Sequence, residues 1–129
     1  MTAPPVAVQL SRVGQIAIPV NDLERAVRFY RNTLGLRYLF TAGQLAFFDC
    51  GGVRLMLDVP EQPEVRSASS VIYYIVDDIQ RAYATLRDRG ATFEDTPHVI
   101  AKLPDHDLWM TFLRDPDHNL LALMSEVPR

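Results

Sequence analysis

Cysteine is almost missing: Cys50 is the single one in 129 residues. One thiol forms neither an internal disulfide nor a cysteine-rich zinc site, so the expected compartment is intracellular. Long apolar runs are missing too. No stretch approaches the ~20 residues of a membrane span, and Met1-Thr-Ala-Pro-Pro-Val6 lacks the basic-then-apolar order of a secretory leader. A cytoplasmic protein with no membrane partner is expected. Basic residues are neither in excess nor clustered, 13 Lys and Arg standing against 16 Asp and Glu, which removes the electrostatic footprint that nucleic acid requires. No Ser/His/Asp signature and no glycine-rich phosphate loop occurs. Disorder is excluded by a hydrophobic share of 48% against 22% charged.

What is present is a repeat. Ile16-Ala-Ile-Pro-Val20-Asn-Asp-Leu-Glu-Arg-Ala-Val-Arg-Phe-Tyr-Arg31 aligns without a gap on Ile72-Tyr-Tyr-Ile-Val76-Asp-Asp-Ile-Gln-Arg-Ala-Tyr-Ala-Thr-Leu-Arg87, at a constant separation of 56 residues. Val20/Val76, Asp22/Asp78, Arg25/Arg81 and Ala26/Ala82 are identical pairs. Each copy reads as an apolar strand followed by a capped helix. Asn21 with Glu24, and Asp77 with Gln80, have capping-box spacing. Leu23, Ala26, Val27, Tyr30 and Leu34 recur on one helical face, as do Ile79, Ala82, Tyr83 and Leu86. Gly35 and Gly90 stand where a left-handed C-terminal cap is wanted.

Three strand-like runs follow each helix. In the first half they are 36–41, 44–50 and 53–58, separated by Ala42-Gly43 and Gly51-Gly52. In the second they are about 92–102, 108–114 and 119–125, with Asp115-Pro116-Asp117 as a turn signal. The reading is one α+β domain over 12–125, made of two βαβββ modules that form a cupped mixed sheet with the helices on its outer face. Module one covers about 12–59, a linker about 60–69 and module two about 70–125, after an N-terminal tail of 1–11.

Two motifs carry a resemblance. Val20-Asn-Asp-Leu-Glu-Arg-Ala-Val-Arg-Phe-Tyr-Arg-Asn-Thr-Leu-Gly-Leu36 and Phe112-Leu-Arg-Asp-Pro-Asp-His-Asn119 resemble the first strand–helix segment and last hairpin of the vicinal oxygen chelate superfamily. That superfamily includes glyoxalase I, extradiol dioxygenases, methylmalonyl-CoA epimerase, and the fosfomycin- and bleomycin-resistance proteins. The resemblance implies paired βαβββ modules, a cup that takes a small molecule, and a homodimer. Its metal-using members draw ligands from positions that fall here on Gln15, Met56, Val71 and Ala122. An amide, a thioether and two hydrocarbon side chains do not make a site for a hard divalent ion. No cofactor is therefore expected, and glyoxalase, epimerase and dioxygenase activities lose the metal they depend on.

Strand alternation sorts the rest. With Ile16, Ile18 and Val20 toward the helix, Gln15 and Ala17 face the cup. The repeat adds Val71, Tyr73 and Ile75, and the last strands add Arg54, Met56, Leu120 and Ala122. Phe47 and Trp109 are expected to supply aromatic wall. Such an apolar concavity with few polar groups suits a small-molecule ligand. His98 and His106 bracket a hairpin with Asp105 and Asp107 beside the second. Three readings are open for them: solvated loop histidines, acid–base groups acting with Tyr73, or metal ligands together with an aspartate. His118 reads as a turn residue in a left-handed conformation. The leading expectation is ligand sequestration of the bleomycin-resistance kind; the alternative is a glyoxalase-like lyase or isomerase, or a dioxygenase-related enzyme, using the same cup.

Overall fold

The structure is a computed structural model that describes residue 8 and residues 11–60 and 70–129. The expected linker, apart from Pro60 and the neighbouring Ser70, and most of the expected tail lie outside the described residues. Module one runs β1 (Gln15–Pro19), α1 (Leu23–Arg28), β2 (Arg37–Ala42), β3 (Leu45–Cys50) and β4 (Val53–Asp58). Module two runs β5 (Ile72–Ile75), α2 (Ile79–Asp88), β6 (Thr92–Phe93), β7 (His98–Lys102), β8 (His106–Arg114) and β9 (Leu120–Pro128). The α+β class and the paired βαβββ plan are those the sequence predicts.

The helices start one residue later than the capping-box spacing suggests. Asp22 and Asp78 are the extended cap residues, and their carboxylates accept from the Arg25 and Arg81 amides at 3.1 Å each. Asn21 stays outside, its backbone N–H donating to the Asp117 carboxylate at 2.6 Å. Beyond Arg28 the first helix widens into a π-helical turn over Phe29–Thr33, closed by Leu34 N–H to Phe29 O at 2.9 Å. The extra residue in that turn lets adjacent Phe29 and Tyr30 both enter the core, with rings edge to face at 5.2 Å.

In module one the sheet order is β1-β4-β3-β2, with β1 parallel to β4. In module two it is β5-β9-β8-β6, with β5 parallel to β9 and β7 paired further along β8. The single strand expected at about 92–102 is thus two. Asp95 stands at the break: its carboxylate takes the Thr111 hydroxyl at 2.7 Å and the Phe112 backbone amide at 2.9 Å, the second a donor that a continuous strand would have paired with its backbone. Pro97 has no N–H to resume the ladder at once.

Each sheet has one face covered by its helix. Those covered faces converge in one core, in which Ile18, Tyr30, Phe48, Leu55 and Leu57 of module one meet Ile79, Leu86, Leu113, Leu121 and Leu123 of module two. The modules are pinned by the turn between β8 and β9. Asp115 is 3% exposed. Its carboxylate accepts from the Tyr30 hydroxyl at 2.9 Å, the Asn119 amide side chain at 2.9 Å, and the Asp117 and Asn119 backbone amides at 2.8 Å each. Asn119 also donates to Pro19 O at 2.8 Å, and Asp117 pairs with Arg25 at 3.0 Å. His118 completes the turn at φ 66°, the left-handed conformation its position predicts.

Two stability outcomes follow. Asp115→Ala strands a phenol, an amide and two backbone N–H groups, and should cost about 3–5 kcal/mol in denaturant unfolding, while Tyr30→Phe, which removes one of the four bonds, should cost about 1–2 kcal/mol. Burial pushes the Tyr30 and Tyr74 phenols upward, Asp115 adding to the first. Both remain protonated in the native state while the unfolded chain ionises near pH 10. Stability should therefore fall as pH rises above about 10, by up to ~1.4 kcal/mol per pH unit for each phenol. Among the described residues the Tyr74 hydroxyl has no hydrogen-bond partner, so Tyr74→Phe should leave stability at pH 7 unchanged or higher and flatten the alkaline loss. A melt showing the same alkaline slope in Tyr74→Phe as in the wild type contradicts this.

Candidate functional site

The faces turned away from the core hold most of the residues singled out by alternation. On module one the open face is built in rows across the strands. Gln15, Arg54, Asp49 and Arg37 form one row, and Ala17, Met56, Phe47 and Phe40 the next. The Gln15 amide points along the face to the Met56 sulfur at 3.5 Å. The Arg54 guanidinium lies over the Phe47 ring at 5.4 Å, and Phe47 stacks on Phe40 at 4.6 Å. Phe40 reaches this stack because a bulge at Leu39 shifts the register between Tyr38 and Phe40.

On module two, Tyr73, Ala122 and Phe112 share a row, and Ile75, Met124, Met110 and His98 the next. Tyr73 and Phe112 meet edge to face at 6.1 Å. Tyr73 is 45% and Ile75 77% exposed. Ala122, expected to face the cup, has no exposed surface because it lies in register between these two rings; Ala17 on the other sheet is exposed. Val71 is half-buried, just ahead of β5. Trp109 lies on the opposite, helix-covered face, packed against the core and facing Ser125 in register. The alternation of β8 puts Leu108, Met110 and Phe112 on the open face instead. That i, i+2, i+4 pattern was available in the sequence, whereas the bulge that recruits Phe40 was not.

The three acid–base candidates do not form a cluster. His98 stands opposite Met110, four residues along β8 from His106, about 13 Å by strand rise. Tyr73 and His98 are three strand spacings apart, about 14 Å. Each histidine is engaged locally, His98 Nδ1 with Thr96 O at 2.8 Å and His106 Nδ1 with the Asp105 carboxylate at 2.6 Å. The second contact holds the fully exposed Asp105 carboxyl below its usual range.

The donor set does not fit a divalent metal. Gln15 has its amide turned to a thioether, Met56 offers a soft sulfur, and Val71 and Ala122 offer no donor atom. Among the described residues no group of three or more His, Cys, Asp or Glu side chains could hold an ion.

Two βαβββ modules, each with a parallel first-to-last strand pair and an aromatic open face, define a class of paired-module proteins. A profile of the Glyoxalase/Bleomycin resistance protein/Dioxygenase superfamily matches residues 12–123, and the chain belongs to that superfamily. It is 28% identical over 126 residues to the uncharacterized protein YraH of Bacillus subtilis, covering 84% of this chain and 94% of that one. A superfamily member from Sphaerobacter thermophilus superposes with a TM-score of 0.75 at 29% identity, covering 91% and 98% of the two chains. TnmS3, an antibiotic binding protein from Streptomyces sp. CB03234, superposes with a TM-score of 0.72 at 25% identity, covering 92% and 98%. Among the described residues no helix is long and apolar enough to cross a membrane.

Metal analysis of the purified, dialysed protein should find well under one equivalent of zinc, nickel, iron or manganese. Stoichiometric metal that survives dialysis would show that a donor set other than these four positions is used.

Proposed function

We propose that this chain is a metal-independent small-molecule-binding protein of the bleomycin-resistance kind, one that sequesters a planar or amphipathic compound in the cytoplasm. The observation that carries the reading is the composition of the two open faces. They expose apolar and aromatic surface at Phe40, Tyr73 and Ile75, with the half-buried Met110 and Met124 beside them, next to a polar row of Gln15, Arg54, Asp49 and Arg37 on module one. Exposed apolar surface of this kind marks a binding site. The likeness to an antibiotic binding protein supports the same choice. An acid–base enzyme has less support, since Tyr73, His98 and His106 stand too far apart to act on one bond.

A homodimer belongs to this reading. The open face of one module is half a cup, and a second copy laid against it supplies the other wall while covering Ile75 and Tyr73. Light scattering at micromolar concentration should give about twice the 14.6 kDa chain mass. Calorimetric titration with a panel of planar and amphipathic antibiotics, bleomycin included, should find a ligand that is recovered unchanged. Phe40→Ala and Tyr73→Ala should each weaken that binding about tenfold, the loss of one aromatic contact. Turnover of any panel compound, abolished by His98→Ala or His106→Ala, would establish the enzyme instead.

A further inference from the structure

The two halves of the chain are related by an approximate repeat, and at one place it fails. In the contact between α1 and the β8–β9 turn, Tyr30 meets Asp115 and Arg25 meets Asp117. The repeat maps Arg25 onto Arg81 and Tyr30 onto Leu86. The strand registers map Asp115 onto Cys50, each being the last residue before the turn between its strands. In module two that turn is Pro116-Asp117-His118; in module one it is only Gly51-Gly52, at φ 60° and 90°. So the second copy of the contact has the arginine and lacks both carboxylates. A cavity of about 540 Å³ lies there, with Cys50, Arg81 and Leu86 in its wall.

The chemistry of this cavity is specific. Leu34, Leu36, Ala82 and Leu86 make its walls largely apolar. Among the described residues Arg81 has no side-chain hydrogen bond or ion pair, in contrast to Arg25. Tyr74 is also in the wall, and among the described residues its hydroxyl, sealed from solvent, has no hydrogen-bond partner, a state that costs free energy. Asp77 and Asp78 stand at the rim, Asp78 occupied with capping α2. Their charge disfavours multiply charged guests and leaves room for one negative group on Arg81.

We propose that this inter-module cavity is a second ligand site, distinct from the open sheet faces, and that it takes a small organic monoanion. The carboxylate or sulfonate occupies the place that Asp117 holds in the other half, on the Arg81 guanidinium, and an apolar body fills the space between α2 and Leu34–Leu36. The volume lies within the range of small-molecule sites. The cavity meets an open face at Ile75, but Arg81 and Cys50 are not on those faces, so the two sites are tested through different residues.

Cys50 reports on it directly, being the sole thiol and part of the cavity wall. Burial, and then Asp49, pushes that thiol upward, so its alkylation by iodoacetamide is followed at pH 9, where thiolate is present. The probes are 4-phenylbutyrate and its uncharged counterpart 4-phenylbutan-1-ol. The acid should slow Cys50 alkylation saturably, by about threefold or more. The alcohol should need about tenfold higher concentration, the worth of one charge-assisted contact. Arg81→Gln, an exposed helix position, should bring acid and alcohol to the same midpoint. Thr85→Trp, which fills the cavity from the solvent side of α2, should slow alkylation without any probe and abolish protection. Unchanged alkylation at millimolar phenylbutyrate, or equal protection by acid and alcohol in the wild type, overturns the proposal. A ligand on the open faces leaves Cys50 untouched, since its side chain is on the other side of β3, so loss of that function and loss of this site are read separately.

Discussion

The buried carboxylate of Asp115 is the interaction on which the arrangement of the two modules depends. A charged or polar group with 3% exposure survives folding only if its lone pairs are filled, and here four donors from two modules fill them. The same four bonds define the β8–β9 turn, orient Tyr30 and place Asn119 so that it reaches Pro19 O. One side chain thus sets where α1 lies, where β1 ends and how module two sits against both. Hydrophobic burial holds the halves together without fixing their register; directional bonds to a single buried acceptor supply it.

Duplication then explains both the order and the irregularity of the fold. Two copies of one strand–helix pattern give two parallel strand pairs, two aspartate caps at equivalent positions and one shared core. They need not keep equivalent contacts. The four-donor acceptor exists once, because the first module joins its last strands through two glycines. A glycine pair can adopt successive left-handed conformations that make the tightest hairpin, and it brings no side chain to fill the space beside α2. Tight turn and unfilled cavity are one choice seen from two sides.

Much of this was legible in the sequence. The constant repeat separation, the helical periodicity and the turn signals locate every helix and, within a residue or two, most strands. What escaped has physical causes. The caps fall on Asp22 and Asp78 rather than Asn21 and Asp77, and in the first module the Asn21 backbone N–H is held by Asp117, 96 positions away in the chain. The strand break stands at Asp95, whose carboxylate pairs with a backbone donor in place of the strand, which no local pattern announces. On the open faces, alternation sorted Gln15, Ala17, Arg54, Met56 and Tyr73, but Trp109 was taken for its aromatic ring when its parity with Thr111 and Leu113 puts it on the helix side.

The open faces follow from the side chains at their centres. Met56, Val71 and Ala122 bring no nitrogen or oxygen donor to the positions the resemblance assigns to metal ligands, so on the proposed reading the attraction of the face is chiefly apolar. Tyr73 and Phe112 close over Ala122, so the centre of that face is aromatic surface instead of a pit. Burial of such surface yields roughly 25 cal/mol per Å² whatever the guest; it gives affinity with little discrimination. Discrimination must come from the few polar groups at the margins. Arg54 is held over Phe47, which is itself stacked on the exposed Phe40, so its charge lies beside that stack, and the Gln15 amide, turned to a weakly accepting sulfur, gives up little when it turns to a better acceptor. On the proposed reading, such a face favours extended, flat molecules with an acceptor at one edge over compact polar ones, through packing and hydrogen bonding.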